Sequence, residues 1–207
     1  MTLDQIRSIV KRNTKADTMS MPNYSVNMLI NLAQKEIVRQ TLCLKKKVVV
    51  TTAAAQQEYD LPSDFHKSIQ MKVASNRPEY KKEEYIDTLY TTTAATGTPY
   101  YYYVDREAGK YGLYPVPSAI QSGVFYYHNL PATMSADDDT PDIPDAYHDL
   151  IVAGASYRVA EQLNNIDLYN HYFSISQVLM ADMANDIATR QSDPRPQVVQ
   201  SQDILDA

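Results

Sequence analysis

The amino-acid sequence predicts an α+β protein: a four-helix bundle formed by N- and C-terminal helix pairs, with an inserted antiparallel β domain and an extended C-terminal tail. Three observations point there. Apolar residues recur at three- and four-residue spacing near both ends of the chain, as the buried stripe of a helix requires. The middle is β-branched and tyrosine-rich, with period-two alternation broken by turn residues. The final stretch, "QSDPRPQVVQSQDILDA", is broken by proline and has little to bury. Helices from the two ends need one another to cover their stripes, which makes the β segment an insertion. The expected divisions are 1–44 and 143–190 for the bundle, 45–142 for the β domain, and 191–207 for the arm.

Each helix carries its own signals. In the first, Leu3, Ile6, Ile9 and Val10 form one stripe, and the polar run "NTKADTMSMPN" follows as a loop. Ser25 is positioned to cap the second, whose face is marked by Met28, Leu29, Leu32, Ile37, Val38 and Leu42. The third is expected over 144–163, because Pro144 suits a first helical turn and Asp145 suits its positive dipole. Its inward residues are read as Tyr147, Leu150, Ile151, Gly154 and Tyr157. A fourth over 168–190 shows Tyr169, Tyr172, Phe173, Leu179, Met180, Met183 and Ile187 as a long stripe.

Between the helix pairs, "KKKVVVTT" reads as a strand and 56–61 alternates toward a Pro-Ser-Asp turn. Ile69, Met71 and Val73 fall on one side at period two. Residues 81–90 read as a short helix or turn with Tyr85, Ile86 and Leu89 inward. Strands follow at 100–105, 110–114 and 122–128, the first two joined by "REAG", whose Gly109 can supply the positive φ of a tight hairpin. Four tyrosines, Tyr100, Tyr101, Tyr102 and Tyr103, run consecutively on this hairpin. On a strand Tyr100 and Tyr102 face one way, Tyr101 and Tyr103 the other. A stacking platform for bases would gather its aromatics on one face among cations, whereas the neighbours here are Asp87, Asp105 and Glu107. The pattern fits core contact on one face and a crossing loop or neighbouring subunit on the other.

Composition narrows the function classes. The chain has 207 residues, is 44% hydrophobic and carries a net charge of −6. That charge is uneven, +6 over 1–50 and −12 over 51–207, so a uniform basic footprint for nucleic acid is absent. Lys45, Lys46 and Lys47 read as a solvated helix exit near the helix's negative end. No apolar run is long enough for a membrane helix, and the amphipathic N-terminus is unlike a signal peptide, which reads as a chain made and kept in a cytosol. Cys43 is the sole cysteine and ends an apolar stripe, which suits packing. Asp137, Asp138, Asp139, Asp142 and Asp145 lack the alternation, central glycine and terminal glutamate of a calcium loop. They read as a solvated loop with helix capping. His66, His128, His148 and His171 are scattered, and no phosphate-loop, dinucleotide or hydrolase motif occurs. Glu58 with Asp60, or Glu83 with Glu84, could be proposed as an acid/base pair for glycoside hydrolysis, but two carboxylates near in sequence are commonplace. No catalytic, cofactor or metal residue is expected.

Taken in order, "YDLPSDFHKSIQMKV", "GTPYYYYVDREAGKYGLYPVPSA" and "GVFYYHNLPATMSADDDTPDIPDAYHDLIVAGASYRVAEQL" resemble the successive signatures of tailed-phage head-to-tail adaptor proteins of the connector or tail tubular type. The matching residues are Leu61, Pro62, Asp64 and Phe65; Gly97, Pro99 and Tyr102; Leu113, Pro115 and Pro117; and Asp139, Pro141, Asp142, Pro144, Tyr147, His148, Asp149 and Leu150. The absence of tryptophan departs from relatives. The resemblance implies a structural virion protein, a ring of twelve subunits below the portal that joins the phage head to the tail. Double-stranded DNA passes through its channel, and a downstream tail or neck protein follows. It places the protein in the virion neck, assembled in the host bacterial cytoplasm, with no membrane partner. Val198, Val199, Ile204 and Leu205 are apolar pairs in a polar arm, the makeup of a segment that orders on a partner. The resemblance implies that this partner is the portal. The tyrosine hairpin is then a subunit or tail contact. The competing class is a virion binding module that recognises carbohydrate through Tyr100 to Tyr103, and a third is a tail-associated hydrolase dependent on Glu58 or Asp60.

Overall fold

The computed structural model describes residues 1–89 and 95–192, with side chains described through 190. Among these residues there are five α-helices: α1 (Leu3–Thr14), α2 (Asn23–Thr41), α3 (Glu83–Leu89), α4 (His148–Gln162) and α5 (Ile166–Ser192). The nine strands are β1 (Lys46–Thr51), β2 (Glu58–Asp60), β3 (Phe65–Val73), β4 (Glu79–Tyr80), β5 (Thr96–Gly97), β6 (Tyr101–Asp105), β7 (Lys110–Tyr114), β8 (Val116–Pro117) and β9 (Ser122–Asn129). The α+β class therefore stands, with helices at both ends and strands between.

One apolar core joins α1, α2, α4 and α5. Leu3, Ile6 and Val10 meet Val26, Leu29, Ile30, Ala33, Ile37 and Val38, and both groups meet Leu150, Ile151, Ala155, Val159 and Met183. Thr2 and Gln5 form a capping box that opens α1, satisfying two of the end's orphan N–H groups. Ser25 does not cap α2. The helix begins earlier at Asn23 after Pro22, and the Ser25 amide already bonds to the Pro22 carbonyl. The expected stripe on α2 is also shifted: Met28 and Leu32 point outward, while Asn31 and Gln34 are buried in their place. Residues 145–147 form a 3-10 turn before α4 proper, and Tyr147 and Tyr157 are only half-buried. α4 is covered almost all round, with Val152, Ala153, Ser156 and Ala160 buried besides the expected face. At Gly154 an added Cβ would lie 3.2 Å from the Ala33 methyl, which marks how closely α2 and α4 approach.

The strands form two facing sheets and a small pair. β1-β9-β3 is antiparallel throughout, whereas β2-β7-β6-β4 and β5-β8 each contain a parallel pairing. The β region is thus mixed. Parallel neighbours need a crossover, and α3 lies in the connection between β4 and β6. Met71, Val73 and Phe125 from one sheet pack on Tyr102, Tyr111 and Leu113 from the other. Ile69 does not share the face of Met71 and Val73, because a register shift between Ser68 and Gln70 turns it outward. Under α3 a second aromatic core holds Ile86, Tyr103 and Tyr114, with Leu89 and Tyr101 packed beside it. Tyr85, read as inward, is exposed instead, since this short helix buries a single narrow face.

The β6–β7 hairpin forms as expected, with Tyr101 opposite Tyr114 and Asp105 opposite Lys110. Gly109 has φ of 68°, and the Asp105 carboxylate accepts from the Glu107 and Ala108 amides at 2.9 and 3.0 Å, closing the turn. Gly112, opposite Tyr103, lies directly beneath that ring: a Cβ there would sit 2.1 Å from ring carbons. Gly112→Ala is expected to destabilise the fold by about 1–3 kcal/mol, read as a lower urea midpoint. Tyr103→Leu should make the same glycine substitution less costly, the non-additivity expected of touching side chains.

Candidate functional site

The four consecutive tyrosines are divided between inside and outside. Tyr102 is 2% exposed and meets Phe125 edge-on at 6.1 Å between ring centroids. Tyr103 is 4% exposed, lies over Gly112, and its hydroxyl donates to Glu58 at 3.3 Å. Desolvation pushes the Tyr102 hydroxyl's pKa up, as burial of a would-be anion must. Tyr100 is 47% exposed and Tyr101 half-buried, and their rings meet at 4.7 Å. Tyr85 reaches over from α3 to within 5.9 Å of the Tyr101 ring, and the Lys81 ammonium lies 5.5 and 5.4 Å from the centroids of the Tyr85 and Tyr101 rings. Tyr85 and Tyr101 therefore share one lysine on the outside of the hairpin, with the Tyr100 ring against Tyr101. Sequence reading missed Tyr85 here, since its helical position gave no sign that it would join a strand.

Several of the carboxylates singled out in the sequence take part in holding the fold. Glu58 accepts from Tyr103 and pairs with Lys110 at 3.4 Å, and Asp60 sits across the ladder from Lys110. Asp137 accepts from Arg7 at 2.8 Å, and the carbonyls of Asp137 and Asp139 receive the Asp4 and Leu3 amides at the start of α1. Asp139 accepts from the Ser135 and Ala136 amides at 2.6 and 2.8 Å, and Asp142 from Ala132 at 2.7 Å. Those backbone N–H groups hold the Asp139 carboxyl below the usual carboxylate range. Asn31 clamps the same loop, accepting from the Met134 amide and donating to its carbonyl, both at 2.9 Å. Asp64 joins Lys46, at 2.7 Å, and the Tyr127 hydroxyl, at 2.8 Å, and borders a groove of about 610 Å³ with Lys35, Lys45 and Asp142. His148 lies between the Met1 amino group and the Ile143 carbonyl, at 2.8 and 2.9 Å. Since the ammonium only donates, the Nδ1 of His148 accepts and its Nε2–H donates. Burial pushes the Cys43 thiol up, away from the reactive thiolate. Among the described residues no group of three or more His, Cys, Asp or Glu side chains is placed to hold a metal ion.

Asp64, Asp139, Asp142, Tyr147 and His148 all belong to the segments that resemble phage adaptors, and all sit where separate stretches of chain are joined. A family model described as SU10 adaptor protein matches residues 1–200. The chain belongs to the SU10 adaptor protein family. This agrees with the resemblance to phage head-to-tail adaptors and extends it over both helix pairs. No curated protein matches the chain.

As an SU10 adaptor, the chain is expected to act through surfaces that meet other proteins, and the described residues display several. Of the 27 residues of α5, those through Arg190 have described side chains, and among these only Ser176 and Met183 are buried, while Ile166, Ile175 and Val178 face outward. Tyr24, Met28 and Leu32 do the same on α2. No helix is long and apolar enough to cross a membrane among the described residues. Val198, Val199, Ile204 and Leu205 lie outside the described residues.

Two expectations follow for the loop that straps the helices to the sheets. Asn31→Leu leaves the Met134 amide and carbonyl without their partner and should cost on the order of 2 kcal/mol in urea unfolding. Asp139 has a lowered folded pKa, so its stabilisation is present above the unfolded value of about 3.9 and is lost as pH falls through the folded one. Hydrogen-exchange protection of 133–143 should therefore drop in that acidic window, and Asp139→Asn should flatten the drop.

Proposed function

We propose that this adaptor is a structural subunit of the virion neck, one of twelve in a ring below the portal that joins the phage head to the tail and continues the DNA channel. The observation that carries the reading is the adaptor match across residues 1–200, which takes in both helix pairs, the β region and part of the arm. The shared core of α1, α2, α4 and α5 supports treating 1–44 and 143–190 as one four-helix bundle with 45–142 inserted. The bundle forms the ring and faces the portal, and the β region presents Tyr100 and Tyr101 to the next tail or neck protein. Residues 191–207 reach into the portal through Val198, Val199, Ile204 and Leu205. The role is mechanical, with neither cofactor nor catalysis. The charge of −12 over 51–207 suits a channel that passes double-stranded DNA, because cations along the wall would retain phosphate. Assembly takes place in the host bacterial cytoplasm.

Burial of Tyr102 and Tyr103 within the subunit weighs against a carbohydrate platform built from the hairpin. The full chain mixed with its own portal should give twelve-fold rings beneath the portal in electron micrographs. Failure to bind portal, or a channel lined mainly by Lys and Arg, overturns the reading. Deleting 191–207 should leave the circular dichroism of the folded protein and abolish stable attachment to portal-containing heads, while unchanged attachment removes the arm from the mechanism.

A further inference from the structure

The outward face of α2 is an apolar line that ends in cations. Tyr24, Met28 and Leu32 are 76%, 53% and 46% exposed, and Lys35 and Arg39 continue the line. At 3.6 residues per turn these five positions fall within a sector of about 80°, so they form one straight strip. A strip of large apolar side chains on the outside of a helix whose opposite face is already buried is the surface of a contact.

A second strip runs along α5, on the side away from Ser176 and Met183. His171, Ile175, Val178 and Asp182 are spaced by four, three and four residues and fall within about 60° of one another, and all are exposed. Val178 is 61% exposed. Here the apolar pair is followed by an anion. The strips are complementary in kind and in order: Leu32 precedes Lys35 by three residues, and Val178 precedes Asp182 by four. Laid alongside in the same direction, the apolar residues meet while Lys35 lies opposite Asp182.

We propose that the α2 strip of one copy of this chain packs against the α5 strip of the next, with Met28 and Leu32 on Ile175 and Val178 and Lys35 paired to Asp182. The occupant of each strip is a second copy, because the same chain carries both halves with opposite terminal charge. The two strips are different surfaces, so the contact is head-to-tail and propagates from copy to copy. Such an interface closes into a ring when its rotation permits. The inference rests on the ring reading above and deepens it by naming the faces that build the ring.

The test is sedimentation velocity on the full chain over a concentration series, with Met28→Glu, Val178→Glu and their equimolar mixture beside the wild type. Both positions are on the surface, and unchanged melting curves confirm the fold. The wild type should form species larger than dimers, and each variant alone should remain monomeric at the same concentrations. Their mixture should stop at dimers, because only one sound α2 strip and one sound α5 strip can meet. Lys35→Glu should weaken assembly about fivefold, the effect of one exposed ion pair, and Asp182→Lys should restore it. Independence of fold damage comes from that restoration. The pairing is overturned if Val178→Glu assembles like wild type, if the mixture stays monomeric, or if the wild type is monomeric throughout. Complete portal-bound rings formed by both single variants would leave the ring reading standing and remove this interface alone. A wild type that self-assembles through these strips yet ignores the portal would do the reverse.

Discussion

The middle of α4 is buried on nearly every side, so other segments must cover it all round. Its residues from Leu150 to Ala160 are buried almost without interruption. α1 and α2 supply part of the cover and α5 the rest, so segments from opposite ends of the sequence are forced together. Everything between α2 and α4 must then leave the helices and return, which is why the sheets form a unit with a core of their own. The close approach of Gly154 to Ala33 and the pairing of Arg158 with Glu36 fix the α2–α4 contact. Burial lowers the Arg158 pKa, the sign of a cation held largely away from water.

The return of the chain is secured by polar groups. Between β9 and α4 the loop satisfies the first amides of α1, receives Arg7, and is clamped by Asn31 and Gln34 from α2. Asn31 has both ends of its buried amide paired to Met134 and so sets one geometry between loop and helix, whereas Gln34 donates to the Ala132 carbonyl and its own side-chain oxygen is buried without a partner. The acidic run that could suggest a cation site instead meets N–H donors and a guanidinium. Four residues of the adaptor signatures, Asp139, Asp142, Tyr147 and His148, lie at these joints.

What the core leaves outside has the same logic. α5 is long, yet its contact with α4 uses one side, leaving isoleucine and valine toward water. α2 gives its expected apolar positions Met28 and Leu32 to the surface because Asn31 and Gln34 are required inward to hold the loop. A polar clamp thus accompanies an apolar face turned outward, the face used by the proposed contact between copies. On the β side, Tyr102 and Tyr103 fill two cores on opposite sides of one strand, while Tyr100 and Tyr101 stay near the surface.

By itself the sequence determined the α+β class, the placement of helices at both ends, the Gly109 hairpin and the adaptor resemblance. These depend on local periodicity, turn chemistry and short motifs, which act over a few residues. Only the tertiary structure decided which face of α2 is buried, that Ile69 swings out at a bulge, that Tyr85 joins Tyr101, and that parallel pairings enter the sheets. Those outcomes depend on partners dozens of residues away: Met134 on Asn31, the register of β9 on β3, and the path of α3 over the hairpin.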